Sequence, residues 1–182
     1  ENTMVFSTSP LTGFPISGNS RMNLAARSPL TGAAGDSQVG GSLPAAFAAN
    51  GYDALIVKGK ADTPVYIYID GDKVEIRDAS AMWGKITGDA DLMLEEDIND
   101  KKIESAIIGP AGETLLPYAN IMHQRSRAFG RNGMGAVMGS KNLKALVVHK
   151  QPPRKPVDPE GMKTLTLNVK ERMHNNPTIE AT

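Results

Sequence analysis

The stretch SRAFGRNGMGAVMGSKNLKAL, residues 126–146, sets Gly130, Gly133, Gly135 and Gly139 among Arg127, Arg131, Lys141 and Lys144, with no acidic residue inside it. Glycines let a ligand approach backbone N–H groups and fixed cations neutralise its charge, so the composition fits an anion. Gly133-Met-Gly135-Ala-Val-Met-Gly139 matches a GxGxxxG variant of the dinucleotide fingerprint. Its context argues against that reading. The fingerprint follows a strand directly and meets an acidic residue about twenty positions later, whereas here SRAFGRN intervenes and QPPRKP follows. Gly139-Ser140-Lys141 places its hydroxyl before the lysine and so lacks the GK[ST] of a phosphate-binding loop. A phosphate-bearing ligand of another kind stays open, beside the plainer reading of close-packing glycines and solvated cations.

A second stretch has similar character. GAAGDSQVGG, residues 32–41, consists almost wholly of small residues and leads into a helix starting near Ser42. Its N–H groups and the helix dipole suit an anion too. Two small-residue loops point to one extended ligand held at both ends. Other reactive residue types fall into plainer roles. His123, His149 and His174 are too scattered for a metal triad and read as surface or strand residues. Glu95, Glu96 and Asp97 are adjacent, so they point in different directions and read as a solvated helix end. Trp83 reads as a packing anchor, and the nine methionines as core filler.

These residues need elements to hold them. SPLTG occurs at residues 9–13 and 28–32, and its proline and glycine suit equivalent tight turns at strand ends. MVFS and RMNLAAR read as strands. GGSLPAAFAANGY predicts a short helix with Ser42 as N-cap, Pro44 in the first turn and Gly51 past its end. YDALIVKG predicts a buried strand, and period-two alternation around Asp70-Gly71 predicts a hairpin. A helix over Thr87–Glu96, strands in IESAIIG, LPYANIM and LKALVVH, a proline-rich connector and a last helix from Asp158-Pro159 complete the chain. That helix carries Met162, Leu165, Val169 and Met173 on one face. Strands outnumber helices without regular alternation. The class expected is α+β, a mostly β base of two packed sheets with a few short helices.

The 182 residues, 40% hydrophobic and 22% charged, suffice for a compact domain with a real core. Twenty basic and twenty acidic residues balance, which gives no global attraction to nucleic acid or an anionic membrane. No run approaches a membrane span and no signal peptide is visible, so the expected location is cytoplasmic. With no cysteine, disulfides, thiolate metal sites and a cysteine nucleophile are excluded within this chain. The chain reads as cut at both ends, because it opens on Glu1 with a strand under way and closes on NNPTIEAT directly after a helix.

SPLTG, Arg21, RSPLTG, DSQVGG, GYDALIVKGKADTPVYIYI, VEIRDASAMWGK, IGPAGE, YANIM and RAFGRNGMGAVMGSKNLKAL, in that order over residues 8–150, resemble the N-terminal domain of the aldehyde:ferredoxin oxidoreductase family. The resemblance implies a cofactor base, residues 1–152, followed by a connector and the start of a helical domain, 153–182. It implies a tungsten or molybdenum bis-pterin lying on the base, its phosphates joined through Mg²⁺. It implies that the 4Fe-4S cluster is bound by domains outside this chain, so that the segment alone is inactive. Arg21 matches the arginine between pterin and cluster. Gln38 and Ala128 match the two backbone carbonyls that bind Mg²⁺, an ion suited to oxygen ligands. Gly40, Gly41, Arg127, Gly130 and Arg131 match the phosphate-approach region. Gln38 stands where better-known members carry Asn, and Asn132 where they carry Gly, two departures from the pattern of those members. The implied partners are a ferredoxin-type carrier, a small aldehyde or related carbonyl substrate, and a homo-oligomer or electron-transfer subunits. Within the family an aromatic thioester reductase competes with an aldehyde oxidiser. Outside it, the competing reading is a non-catalytic β-rich anion-binding domain.

Overall fold

Serine-anchored turns shape the first sheet. The computed structural model describes residues 2–174 and Asn176. Ser9 Oγ accepts from the Leu11 N–H, and Ser28 Oγ accepts from those of Leu30 and Thr31, each at 3.2 Å. Gly13 and Gly32 close the two turns at φ 90° and 72°, where a side chain would be strained. The SPLTG copies are thus equivalent turns, following β1 (Met4–Thr8) and β2 (Met22–Arg27). With β3 (Ala34–Val39) and β4 (Ala54–Val57) they form an antiparallel sheet ordered β3-β2-β1-β4.

The second sheet has six strands, ordered β6-β5-β10-β7-β8-β9. β5 (Val65–Asp70) and β6 (Lys73–Asp78) form the expected hairpin, with Asp70 opposite Lys73. β10 (Leu143–His149) runs parallel to β5 and antiparallel to β7 (Ile103–Ile107). β8 (Ile121–His123) and β9 (Arg127–Phe129) complete the far edge.

Alternation along the strands explains how the sheets pack. Met4, Phe6 and Leu24 of the first sheet share one buried cluster with Ile67, Ile69, Leu146 and Val148 of the second. Phe47 of α1 (Leu43–Ala49) joins them, and Phe6 meets Phe129 edge-on at 6.0 Å. On the other face of the second sheet, Ala90 and Leu94 of α2 (Thr87–Ile98) cover Tyr66, Ile107 and Val147. The architecture is therefore the expected α+β arrangement of two packed sheets and short helices. No described helix is long and apolar enough to cross a membrane.

Four local expectations are corrected. YDALIVKG forms β4, but at a sheet edge, leaving Ile56 59% exposed. Only Ile121–His123 of the LPYANIM region and its flank pairs as a strand, because Pro117 lacks an N–H and the Ala119 carbonyl accepts from Gly135 N–H at 2.9 Å instead. GAAGDSQVGG is not a loop, since β2 offers a ladder partner and pairs Ala25 with Asp36. The glycine-rich segment folds into β9 and the helix α4 (Met134–Ser140). After α3 (Pro110–Glu113) and these elements comes α5 (Pro159–His174), where Asp158 Oδ1 accepts from Gly161 N–H at 2.9 Å as expected of a cap. No α5 residue is fully buried; Met162 and Val169 are half-buried, Leu165 and Met173 are exposed, and Thr166 Oγ1 donates to the Pro15 carbonyl at 2.8 Å. The NNPTIEAT terminus lies almost wholly outside the described residues.

Candidate anion-binding site

Half of the opening motif turns out to be packing. A Cβ on Gly139 would stand 1.9 Å from the Gly112 carbonyl oxygen, and one on Gly133 2.0 Å from that of Pro117. Gly135 faces the Asn120 carbonyl in the same way, so all three glycines let α4 lie backbone to backbone on its neighbours. The two lysines are buried and partnered. Lys141 Nζ donates to Gly59 O at 3.0 Å, while Lys144 Nζ donates to Lys85 O at 2.9 Å and to the Glu113 carboxylate. None of these residues is free to receive an anion. Arg127, Gly130 and Arg131 remain.

The fold brings the other small-residue segment to them. β3 ends the first sheet and β9 ends the second, and the two edges adjoin. Asn132 Nδ2 donates to the Asp36 carbonyl of β3, and Ser28 Oγ donates to the Asn132 carbonyl at 2.9 Å. Since carbonyls two residues apart in a strand point the same way, that of Gln38 faces this junction as well. Gln124 Nε2 donates to Ser42 Oγ at 2.6 Å, a further tie between the segments.

Two guanidinium groups converge here. Arg127 lies along Gly41, whose φ is 97° and where a Cβ would stand 2.7 Å from Arg127 Cδ. A Cβ on Gly40 would lie 3.8 Å from both Arg127 Nη1 and Arg21 Cζ. Arg21 and Arg127 are exposed, and neither forms an ion pair among the described residues, whereas Arg125 nearby pairs with Asp91 at 3.2 Å. Like charges gathered without a carboxylate favour an anionic ligand. Of the remaining candidates, Ala128 is half-buried opposite Met122. Gly130 is exposed with nothing within 4 Å of its Cβ position. Arg131 is exposed.

At the start of α1 one N–H is already taken. The Leu43 N–H already donates to His123 Nε2 at 3.3 Å, Ser42 makes no cap bond, and the helix has only seven residues. His123 is itself a structural tie that the sequence reading overlooked. Nδ1 lies 2.8 Å from the Ser105 carbonyl, which can only accept, and Nε2 faces an N–H, which can only donate. The ring is therefore the neutral Nδ1–H tautomer. Burial pushes its pKa below the ordinary histidine value, against the Ser105 carbonyl and Glu104, which favour the charged form. The unfolded chain takes up a proton below about pH 6.5 that the folded chain resists. Stability is then full above that pH and declines below it, by at most about 1.4 kcal/mol per pH unit. Urea unfolding at pH 7.5 and 5.5 should show this loss, and His123→Gln should flatten it; an unchanged slope in the variant would exclude the role.

Other candidates remain structural. Asp97 is not merely solvated, because Tyr66 Oη donates to it at 2.5 Å; burial, then Asp97, pushes the phenol up to about 12. His149 lies between Asp100 at 3.0 Å and Asp70 at 3.4 Å. Trp83 packs on the core, as expected. No metal-binding group of three or more His, Cys, Asp or Glu occurs among the described residues.

The family model described as the aldehyde ferredoxin oxidoreductase N-terminal domain matches residues 1–150. This chain belongs to that family. The tungsten-containing aldehyde ferredoxin oxidoreductase of Pyrococcus horikoshii is 50% identical over 148 residues, 81% of this chain and 24% of the relative. The enzyme of the same description from Pyrococcus furiosus is 42% identical over 172 residues, 94% of this chain and 27% of the relative. An aliphatic sulfonate oxidoreductase, WOR-like subunit, of Pyrococcus furiosus is 36% identical over 91% of this chain and 28% of its own length. The chain thus spans about a quarter of the length of these curated relatives. Among solved structures, the active site complex BamBC of benzoyl coenzyme A reductase with 1,5-dienoyl-CoA matches with a TM-score of 0.90 at 36% identity, over 95% of this chain and 26% of that one. The two-sheet fold is the one this aldehyde ferredoxin oxidoreductase family domain shares with that enzyme.

Proposed function

We propose that this chain is the cofactor base of a tungsten- or molybdenum-bis-pterin oxidoreductase, and that the β3–β9 junction takes the cofactor's phosphates. The single observation behind this is the convergence of Arg21 and Arg127 on Gly40 with no carboxylate partner among the described residues. The donor set suits the group. Arginine forks match phosphate oxygens, the open space at Gly130 leaves room, and the Gln38 and Ala128 carbonyls are hard donors of the kind Mg²⁺ takes. Arg131 adds a second charge from the same loop. Arg21, permanently charged and planar, would hydrogen-bond the pterin on one side and offset the charge of a 4Fe-4S cluster on the other.

When bound, the cofactor supplies two-electron chemistry at its metal. This chain's part is to hold and orient it through charge and backbone contacts. Residues 1–152 form the base, and the connector with α5 starts the next domain. The substrate we favour is an aldehyde or related carbonyl, with electrons leaving through the cluster to a ferredoxin-type carrier. Four relatives named as aldehyde ferredoxin oxidoreductases, 42–50% identical, support this over the sulfonate or aromatic thioester reactions suggested by more distant ones. A cytoplasmic location fits that carrier.

The test is made in the full-length protein. A hydrogen bond to a charged group is worth about 1.5–3 kcal/mol, so Arg127→Ala should weaken cofactor retention by about 10- to 100-fold. Arg21→Ala should also slow reduction of the cluster. Metal analysis and pterin fluorescence report the first effect, and rapid-mixing spectroscopy the second. Normal metal and pterin content in both variants would overturn the assignment.

A further inference from the structure

Asn132 occupies a position that favours glycine, with φ 70° just before Gly133 at 69°. Left-handed backbone disfavours most side chains by about 1–2 kcal/mol, asparagine less than others. Glycine would fit with no such strain, so a side chain here needs a compensating contact. It has one. The amide donates to the Asp36 carbonyl, on the exposed edge of β3 and two residues before Gln38. Its own carbonyl accepts from Ser28 Oγ at 2.9 Å, and Ser28 is buried in the second SPLTG turn.

Both ends of this clamp are rigid. On the α4 side, Gly133 lies so close to the Pro117 carbonyl that it has no room to shift. On the β3 side, a Cβ on Gly35 would stand 3.1 Å from the Asn132 Cβ and 3.0 Å from that of Ser28, so strand and loop already touch. Asp36 leads through Gln38 to Gly40 and Gly41, while Asn132 leads back to Gly130 and Arg127. One side-chain amide therefore spans the two segments, 96 residues apart in sequence, that carry the converging arginines.

We propose that Asn132 is a positioning residue, whose amide bond to the Asp36 carbonyl sets the spacing of the β3 and β9 edges for a phosphate-bearing ligand. This rests on reading the junction as an anion site. A looser edge would hold the same groups with less order, so the effect belongs to affinity rather than to folding.

Magnesium pyrophosphate is the probe, titrated calorimetrically into the intact protein expressed in a host unable to make the pterin cofactor. Arg127→Ala, measured alongside, should abolish its binding. Asn132→Gly keeps the backbone and removes the amide; its affinity should fall about tenfold, the equivalent of one hydrogen bond, with little change in thermal midpoint. Asn132→Asp keeps the shape but has no N–H to give, and should bind at least as weakly as Asn132→Gly. Wild-type affinity in either Asn132 variant, with Arg127→Ala inactive, overturns the clamp and leaves the anion site standing. Equal binding or equal failure in wild type and Arg127→Ala overturns the anion site and the clamp with it. A lowered midpoint with unchanged affinity reduces Asn132 to a stability role and likewise overturns the proposal.

Discussion

Glu113→Ala should lower the unfolding free energy by about 3–5 kcal/mol, the usual result of removing one partner from a buried ion pair. Lys144 and Glu113 have side-chain exposures of 0% and 4%. The carboxylate also accepts from the exposed Gly84 N–H at 2.7 Å; its loss frees that amide to water but leaves the buried ammonium with the Lys85 carbonyl alone. Burial already pushes the Lys144 pKa below the ordinary lysine value, with Glu113 opposing. Without Glu113 the folded chain favours neutral lysine more strongly, and the unfolded chain still binds a proton until about pH 10.4. The deficit therefore shrinks as pH rises, because a neutral lysine needs no counter-charge. Lys144→Met combined with Glu113→Leu should recover most of the loss, because an apolar pair leaves no charge buried without a partner. Urea unfolding at pH 7 and 10 measures all three; a single-variant loss below about 1 kcal/mol would rule out the pair as a determinant of stability.

Gly139→Ala should destabilise by about 3 kcal/mol, at the upper end for overpacking. Inside a helix alanine normally outperforms glycine by about 0.5–1 kcal/mol. Here the new Cβ would meet the Gly112 carbonyl oxygen at 1.9 Å and its carbon at 2.7 Å. Both belong to backbone, and Gly112 is itself wedged against the Gly135 carbonyl at 2.8 Å from its own Cβ position. Nothing in that contact can rotate away, so α4 must separate from α3. Gly88→Ala in α2 is the control: no atom lies within 4 Å of its Cβ position, and it should gain about 0.5 kcal/mol. Thermal denaturation of the two variants reads the opposite signs directly, and a neutral Gly139→Ala would mean that the helices do not meet this closely.

The candidate site was partly legible before the fold was known. The gathering of small residues at 32–41 and 126–146 was visible, as were Arg21 and Arg127 through the family resemblance. Hidden were the tie that joins the segments, Asn132 to Asp36, and the two that join their flanks, Gln124 to Ser42 and His123 to Leu43. Asn132-Gly133 was the one local signal, since that dipeptide accepts left-handed backbone. The histidine carried no sequence signal, because a ring that bonds two backbone groups eighteen and eighty residues away has no spacing to betray it.

Local chemistry determined what the chain could be read for. Proline, serine and glycine within five residues specify the SPLTG turns, alternation around Asp70-Gly71 specifies the β5–β6 hairpin, and Asp158 caps α5. Each works through atoms a few bonds apart, so sequence alone carries it. Lys141, Lys144, Gly133 and Gly139 have the same composition as an anion loop, yet packing turns them inward to the Gly59 carbonyl, Glu113, and the backbone of Pro117 and Gly112. Whether a lysine meets a ligand or a buried carboxylate depends on which distant element the fold sets opposite it. The order of the strands decides that, by making β3 and β9 the sheet edges that meet and leaving Arg21 and Arg127 exposed there with no ion-pair partner among the described residues.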